Sequence, residues 1–408
     1  MDSKDFDGTI DDFLKGFEKG ELFLSTPLSC ADRALLRAKL EIGEAEGALS
    51  DRERFLLIWY SIEERGTISY EQSLDLSRLK KDPFAKYLIG LCCKRKIRPY
   101  LLNYEDAFYN FLNAYKGGVK EAAIELCEAF YYGRGTWKNL NAAFRFASET
   151  NTPAGKRYKG MILILKNRVE EGLSLLEEAA GEGDGEAWFR LGEIFLDGER
   201  VIKDSRKAYA CFEQGADTGE RNCLLFAGRM AFLGEGRERN SYAALHYLSR
   251  ISPNKTGDEI IGDIMMEGSG FKEAEDHYLK AMMQGNIDAG RKYASLLLEE
   301  KEEEKRKEGE ELLKNVIKNF DKSACLDLFY YYQRNDRPDD ASRMLDEALE
   351  SHELLSYGLA LMTGRETRKV LSSLSEDAKT DPRADKLYDE VKKERKRRRK
   401  ALKGYHKL

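Results

Sequence analysis

The chain holds four histidines, seven cysteines and a dense supply of carboxylates, the residue types from which acid–base, nucleophilic and metal chemistry are built. Their spacing argues against all three. His246, His277, His352 and His406 are scattered, and no pair has the spacing that places two ligands on one helix face. No G-x-S-x-G, H-E-x-x-H or phosphate-binding loop occurs. Ser77-Arg78-Leu79-Lys80 has the S-x-x-K spacing of serine acylases but none of their companion motifs. The cysteines form no C-x-x-C pair. Cys127, Cys211, Cys223 and Cys325 fall where small or buried residues recur, which predicts reduced core thiols, and Cys92-Cys93 is a vicinal pair on a helix. The chain is therefore read as non-catalytic, with no catalytic residue, metal or cofactor assigned.

The stronger chemical signal is cationic. Residues 392–408 contain ten Lys or Arg against one Glu, including Lys392, Lys393, Arg395, Lys396, Arg397, Arg398, Arg399 and Lys400. This tail carries +9 in a chain of net −5, so the remainder stands at −14. A run of cations seeks phosphate, anionic lipid or an acidic protein surface. With one aromatic residue, Tyr405, the tail has no platform for stacking bases, so any nucleic-acid contact would be with the backbone.

Behind these side chains lies a repeat. Aligned on a small opening residue, Ala85, Ala122, Gly155, Ala187, Cys223, Gly257, Ala289, Cys325 and Ser356 recur at intervals of 31 to 37 residues. A period in this range, in a chain 35% charged with only 7 Pro, predicts stacked helical hairpins rather than one closed core. The repeat from Ala187 to Gly219 shows the grammar. Ala187, Leu191, Gly192 and Phe195 share one helical face, and Gly198 ends that helix in the left-handed conformation. Asp204 is placed to cap the second helix, whose apolar face is Ala208, Cys211, Phe212 and Ala216. Asn103, Asn139 and Asn240 stand at the same place in sister repeats. The repeats opening at Gly155, Gly257 and Cys325 lose about four residues between their helices. In the repeat opening at Ala289, the run from Lys301 to Glu311 reads as a solvated helix extension.

These residues resemble the Sel-like repeat family, relatives of tetratricopeptide repeats. Ala187, Leu191, Gly192, Phe195, Gly198, Val201, Asp204, Lys207 and Ala208 match its unit, with Arg200 where a second Gly is usual. The resemblance is specific between Ala122 and Ser252 and weaker outside. It implies an all-α, right-handed α/α superhelix of about ten tandem hairpins, used as a scaffold for protein complexes.

The expected organisation is capping helices over 1–47, a degenerate repeat over 48–84, the array over 85–355, a degenerate repeat with a capping helix over 356–391, and the basic tail over 392–408. Ser69 and Gln72 read as a capping box, and Asp381-Pro382 as a helix start. The opening residues are acidic and carry no secretory signal. The longest aliphatic runs, such as Met161 to Leu165, are far short of the roughly 20 residues a bilayer needs. Together with the cysteine usage, this predicts a cytoplasmic protein.

One register position is singled out as a candidate partner groove. In six successive repeats, those opening at Ala122 to Ala289, the residues nine places after the opening are Tyr131, Ile164, Leu196, Phe232, Met266 and Leu298. Three positions earlier stand Glu128, Met161, Glu193, Arg229, Asp263 and Ser295. An apolar row beside a polar one on first helices suits a groove for a peptide; the competing expectation is a seam between repeats. The function expected is a scaffold or adaptor binding a peptide or protein. The alternative is an adaptor tethered to RNA, ribosome or anionic membrane through the tail.

Overall fold

The computed structural model describes residues 30–268, 270–319 and 324–350, with Leu14, Tyr388 and Lys392. The expectations for Ser356, for 356–391, for Asp381-Pro382 and for the tail beyond Lys392 lie outside the described residues. Among those residues, the regular structure is helical throughout. Residues Met1–Cys223 and Leu224–Leu408 form two compact bodies.

In the N-terminal body, α1 (Cys30–Glu46), α2 (Asp51–Tyr60) and α3 (Tyr70–Arg78) precede the hairpins. A π-helical turn, Ser61–Arg65, extends α2, and Gly66 stops it at φ 64°. The hairpins pair α4 (Pro83–Arg95) with α5 (Tyr104–Lys116), α6 (Ala122–Tyr132) with α7 (Leu140–Glu149), α8 (Pro153–Leu165) with α9 (Val169–Gly181), and α10 (Gly185–Asp197) with α11 (Ser205–Asp217). The first helices α6 and α8 of consecutive hairpins also touch, as stacked repeats require.

The helix starts follow from local chemistry. Ser69 accepts from Gln72 N while the Gln72 side chain accepts from Ser69 N, so the predicted capping box is present. Asp82 and Thr152 cap helices that begin with Pro83 and Pro153, where a missing N–H costs nothing. The equivalent caps are near-superposable in backbone: Asn103, Asn139 and Asp204 have φ of −147°, −145° and −143°. Each side-chain oxygen accepts from two backbone N–H groups of the first turn, at 3.0 to 3.1 Å.

The helices of a hairpin meet through a glycine five residues after the opening residue. A Cβ on Gly90 would stand 2.6 Å from the Phe111 ring, and one on Gly192 2.4 Å from the Phe212 ring. Where this place is Cys127, the second helix answers with the small, fully buried Ala147. Phe212 is fully buried, which contributes about 2–3 kcal/mol.

Among the described residues of the C-terminal body the helices are α12 (Arg221–Leu233, in which the boundary falls), α13 (Ser241–Ser249), α14 (Gly257–Glu267), α15 (Phe271–Met283), α16 (Ile287–Leu298), α17 (Glu303–Asn319), α18 (Cys325–Arg334) and α19 (Pro338–Glu350). The same glycine rule holds: Gly228 packs on Leu248 and Gly262 on Tyr278. Asn240, at φ −147°, caps α13. The charged run from Lys301 meets the expectation in part: it is helical from Glu303, and Glu303, Glu304, Lys307, Glu308 and Glu311 are exposed. From Glu303 it forms the first turns of α17 itself, and Gly309 in it packs against the Ala294 carbonyl. Glu310, from the same run, is likewise no solvated side chain: its carboxylate accepts from Tyr332 Oη at 2.7 Å and Arg337 Nη1 at 2.9 Å.

Candidate functional site

The candidate row lies on the last turns of the first helices. In the N-terminal body Tyr131 is half-buried, its ring edge-on to Tyr132 and Tyr158 with centroids 4.8 and 5.6 Å away. Burial pushes its phenol pKa up. Leu196 is also half-buried, whereas Ile164 is buried. The reason for Ile164 is the three-residue loop 166–168, which brings α9 over the end of α8. A Cβ on Gly172 would lie 2.5 Å from Ile164 Cγ1.

In the C-terminal body Phe232 and Met266 are half-buried and Leu298 is buried. Arg239 spans the Phe232 ring at 4.8 Å and donates from Nε to the Phe232 carbonyl at 2.9 Å. Leu298 is sealed in the same way as Ile164, since a Cβ on Gly309 would stand 3.2 Å from Leu298 N. At the place where α9 has Gly172, α15 has Ala274, and Met266 keeps part of its surface. The row thus divides into two sealing residues and four that keep solvent-facing surface.

The three carboxylates of the companion row, Glu128, Glu193 and Asp263, are held in ion pairs. In the N-terminal body Lys94 Nζ lies 2.7 Å from both Glu125 and Glu128, and Glu128 also pairs with Arg134 at 3.4 Å. Arg190 pairs with Glu186 at 2.6 Å and Glu193 at 2.7 Å, along one helix. Burial raises the Glu125 carboxyl pKa, with Lys94 working against it. Two repeats back from Arg190, the phenols of Tyr131 and Tyr132 lie within reach of its charge. In the C-terminal body Lys292 Nζ bridges Glu259 and Asp263 at 2.7 and 2.8 Å, while Arg229 is exposed.

Lys94, Glu125 and Arg190 were not in the predicted rows. Lys94 stands nine residues after Ala85, and Glu125 and Arg190 three residues after Ala122 and Ala187. The same register finds all three: the apolar row carried one repeat earlier reaches Lys94, and the companion row carried one turn back reaches Glu125 and Arg190.

Of the tail, the described residue is Lys392, which is exposed, with Nζ 5.2 Å from the centroid of the Tyr388 ring. The side chains weighed for chemistry are placed as follows. Ser77 donates to the Ser73 carbonyl at 2.9 Å. His246 is exposed beside Tyr247. His277 Nδ1 lies 2.7 Å from Asp258, a fully buried carboxylate that also accepts from Ser252 Oγ and Asn254 N. Cys92, Cys93, Cys127, Cys211, Cys223 and Cys325 are buried free thiols. Burial pushes Cys92 and Cys127 up to about 12, far from the range where a thiolate forms at neutral pH. Among the described residues, no group of His, Cys, Asp or Glu is arranged to hold a metal ion. Nor is any described helix long and apolar enough to cross a membrane.

Known structures with this arrangement decide the fold. The protective antigen c5321 of uropathogenic Escherichia coli, which displays a Sel-like repeat fold, is 18% identical over 83% of this chain and 78% of its own, at a TM-score of 0.54. The chain has the Sel-like repeat fold. A Sel1 repeat protein from Oxalobacter formigenes matches 80% of the chain and 89% of its own at 17% identity, with a TM-score of 0.39. No protein-family model and no curated protein matches the chain.

Proposed function

We propose that the protein is a non-catalytic scaffold that takes a peptide segment of a partner protein along the first-helix face of its N-terminal body. The observation that carries this reading is the half-exposed pair Tyr131 and Leu196, apolar side chains of first helices set among ion-paired carboxylates and cations. Apolar footholds give a bound segment its affinity, and the flanking charges fix its register. The charges cost little to present, because Lys94 and Arg190 already have partners. Free buried thiols agree with work in a reducing compartment.

The test is a paired substitution, Tyr131→Ser with Leu196→Ser, read by thermal melting and by co-purification from the native host. The scaffold reading expects near-unchanged melting and loss of specific partners. A steep fall in melting temperature would make the row a seam between repeats, and an unchanged set of partners would remove it from recognition.

A further inference from the structure

The two edges of the N-terminal hairpin stack differ in both charge and polarity. One edge is made of the loops inside the hairpins, 96–103, 133–139, 166–168 and 198–204. The other is made of the turns between hairpins, 117–121, 150–152, 182–184 and 218–220. The inner loops carry eight Lys or Arg against two acidic residues, a net +6. The turns on the other edge carry one Lys against four acidic residues, a net −3. In a chain that is acidic apart from its tail, this is a segregated cationic edge.

The inner loops form one continuous edge. Gly135 presses on the Tyr104 carbonyl at the end of loop 96–103, and Arg134 lies over the Tyr104 ring at 5.5 Å. Lys166 donates to Asn141, just beyond loop 133–139, at 2.8 Å. Arg200 donates to Asn167 at 2.8 Å and joins loop 198–204 to loop 166–168.

On this edge stand large apolar side chains with almost no cover. Two residues before the capping Asn103, Asn139 and Asp204 come Leu101, 78% exposed, Trp137, 91% exposed, and Ile202, 92% exposed. Their equivalence comes from the loop itself. Each cap N–H returns to a first-helix carbonyl: Asn103 to Cys93, Asn139 to Phe130 and Asp204 to Phe195. The residue two places earlier is thereby held outward in a defined position. The exposed large apolar side chains of this body include none from the turns of the opposite edge.

We propose that this edge is a membrane-contact surface that inserts Leu101, Trp137 and Ile202 into the interface of an anionic lipid bilayer. The chemistry is specific to that occupant. Lysines and arginines around protruding aliphatic and tryptophan tips match a surface with phosphate outside and hydrocarbon just beneath. Trp137 is suited to the boundary itself, with an apolar ring and one N–H donor. Lys96, Arg98, Lys138 and Lys203 are all exposed on the same loops, placed to meet the headgroups. The proposal does not use the tail, and its inserting side chains are not those of the peptide-binding reading, although Lys138 of the edge lies 5.8 Å over the Tyr131 ring.

The chain contains three tryptophans, and Trp59 and Trp188 are half-buried, so Trp137 supplies an internal reporter. Full-length protein is titrated with unilamellar vesicles of phosphatidylcholine, with and without a third of phosphatidylserine. Binding to the anionic vesicles with a blue shift of tryptophan emission is expected. The shift should vanish in Trp137→Phe. Leu101→Ser with Trp137→Ser and Ile202→Ser should weaken partitioning at least about tenfold while melting is unchanged, since insertion scales with apolar area. A chain ending at Glu390 should bind and shift as the full chain does. No binding, binding without a blue shift, or equal binding by the triple variant would overturn the proposal. So would loss of binding on truncation at Glu390, which would place the lipid contact in the tail. If the intact chain ignores vesicles and the triple variant instead loses a protein partner, the edge is a protein interface and the proposal fails.

Discussion

Gly192 of α10 lies directly against the ring of Phe212 in α11, so close that a Cβ on it would stand 2.4 Å from Cε1 and 2.6 Å from Cζ. Five residues after the opening residue, this glycine sets the separation of the two helices in its hairpin. Gly192→Ala should therefore cost about 1–3 kcal/mol, because the fully buried Phe212 has no room to retreat. The cost should shrink in a Phe212→Leu background, since the hairpin with Cys127 at this place pairs it with the small Ala147. A double-mutant cycle in chemical denaturation measures that coupling. Additive costs would show that the two side chains do not share the space.

The cap at Asp204 holds two backbone N–H groups, from Arg206 and Lys207, both at 3.0 Å. Asp204→Ala should destabilise by about 1 kcal/mol, whereas Asp204→Asn should be close to neutral. Asn serves in the same geometry at positions 103 and 139. Equilibrium unfolding of the two variants compares them, and an Asn variant as unstable as the Ala one would contradict the equivalence of the caps.

Acid should weaken the C-terminal body through Glu310. Burial alone would raise this carboxyl, but donation from Arg337, Lys314 and Tyr332 outweighs it and holds the pKa at about 2, below the ordinary 4.5. The folded value is depressed, so the stabilisation is full above pH 4.5 and is lost as pH falls towards 2. After allowance for solvent screening the contribution is about 1–2 kcal/mol. Melting temperature followed from pH 5 down to pH 2.5 should fall more steeply for the parent than for Glu310→Gln. Parallel curves would mean that Glu310 is not held by these donors.

What was legible in the residues was whatever local backbone chemistry dictates. Gly198 sits at φ 73°, and Asp204 caps its helix, because a left-handed turn and an unpaired N–H each select a narrow set of side chains. The short loops after Leu165, Glu267 and Arg334 were countable from the register alone. The fate of the apolar row was not. Ile164 and Leu298 are covered because Gly172 and Gly309 let a second helix close over them, a relation between helices that periodicity along one helix does not carry. Lys94 escaped for the opposite reason: it breaks the apolar pattern at its position, and it pays for that through Glu125 and Glu128 of the next repeat. The exposed Trp137 and Ile202 follow no helical period; what marks them is their common place two residues before a cap, a loop register that face-by-face reading of helices passes over.

Site-specific photocrosslinking tests the scaffold reading most directly. A benzophenone amino acid is placed at Leu196 on the first-helix face and, in a parallel protein, at Tyr109, an exposed position on the second helix α5. The account predicts a discrete partner adduct from position 196 that is abolished by Tyr131→Ser in the same chain, and none of that mass from position 109. Adducts of equal yield from both positions, or an adduct at 196 indifferent to Tyr131, would contradict it.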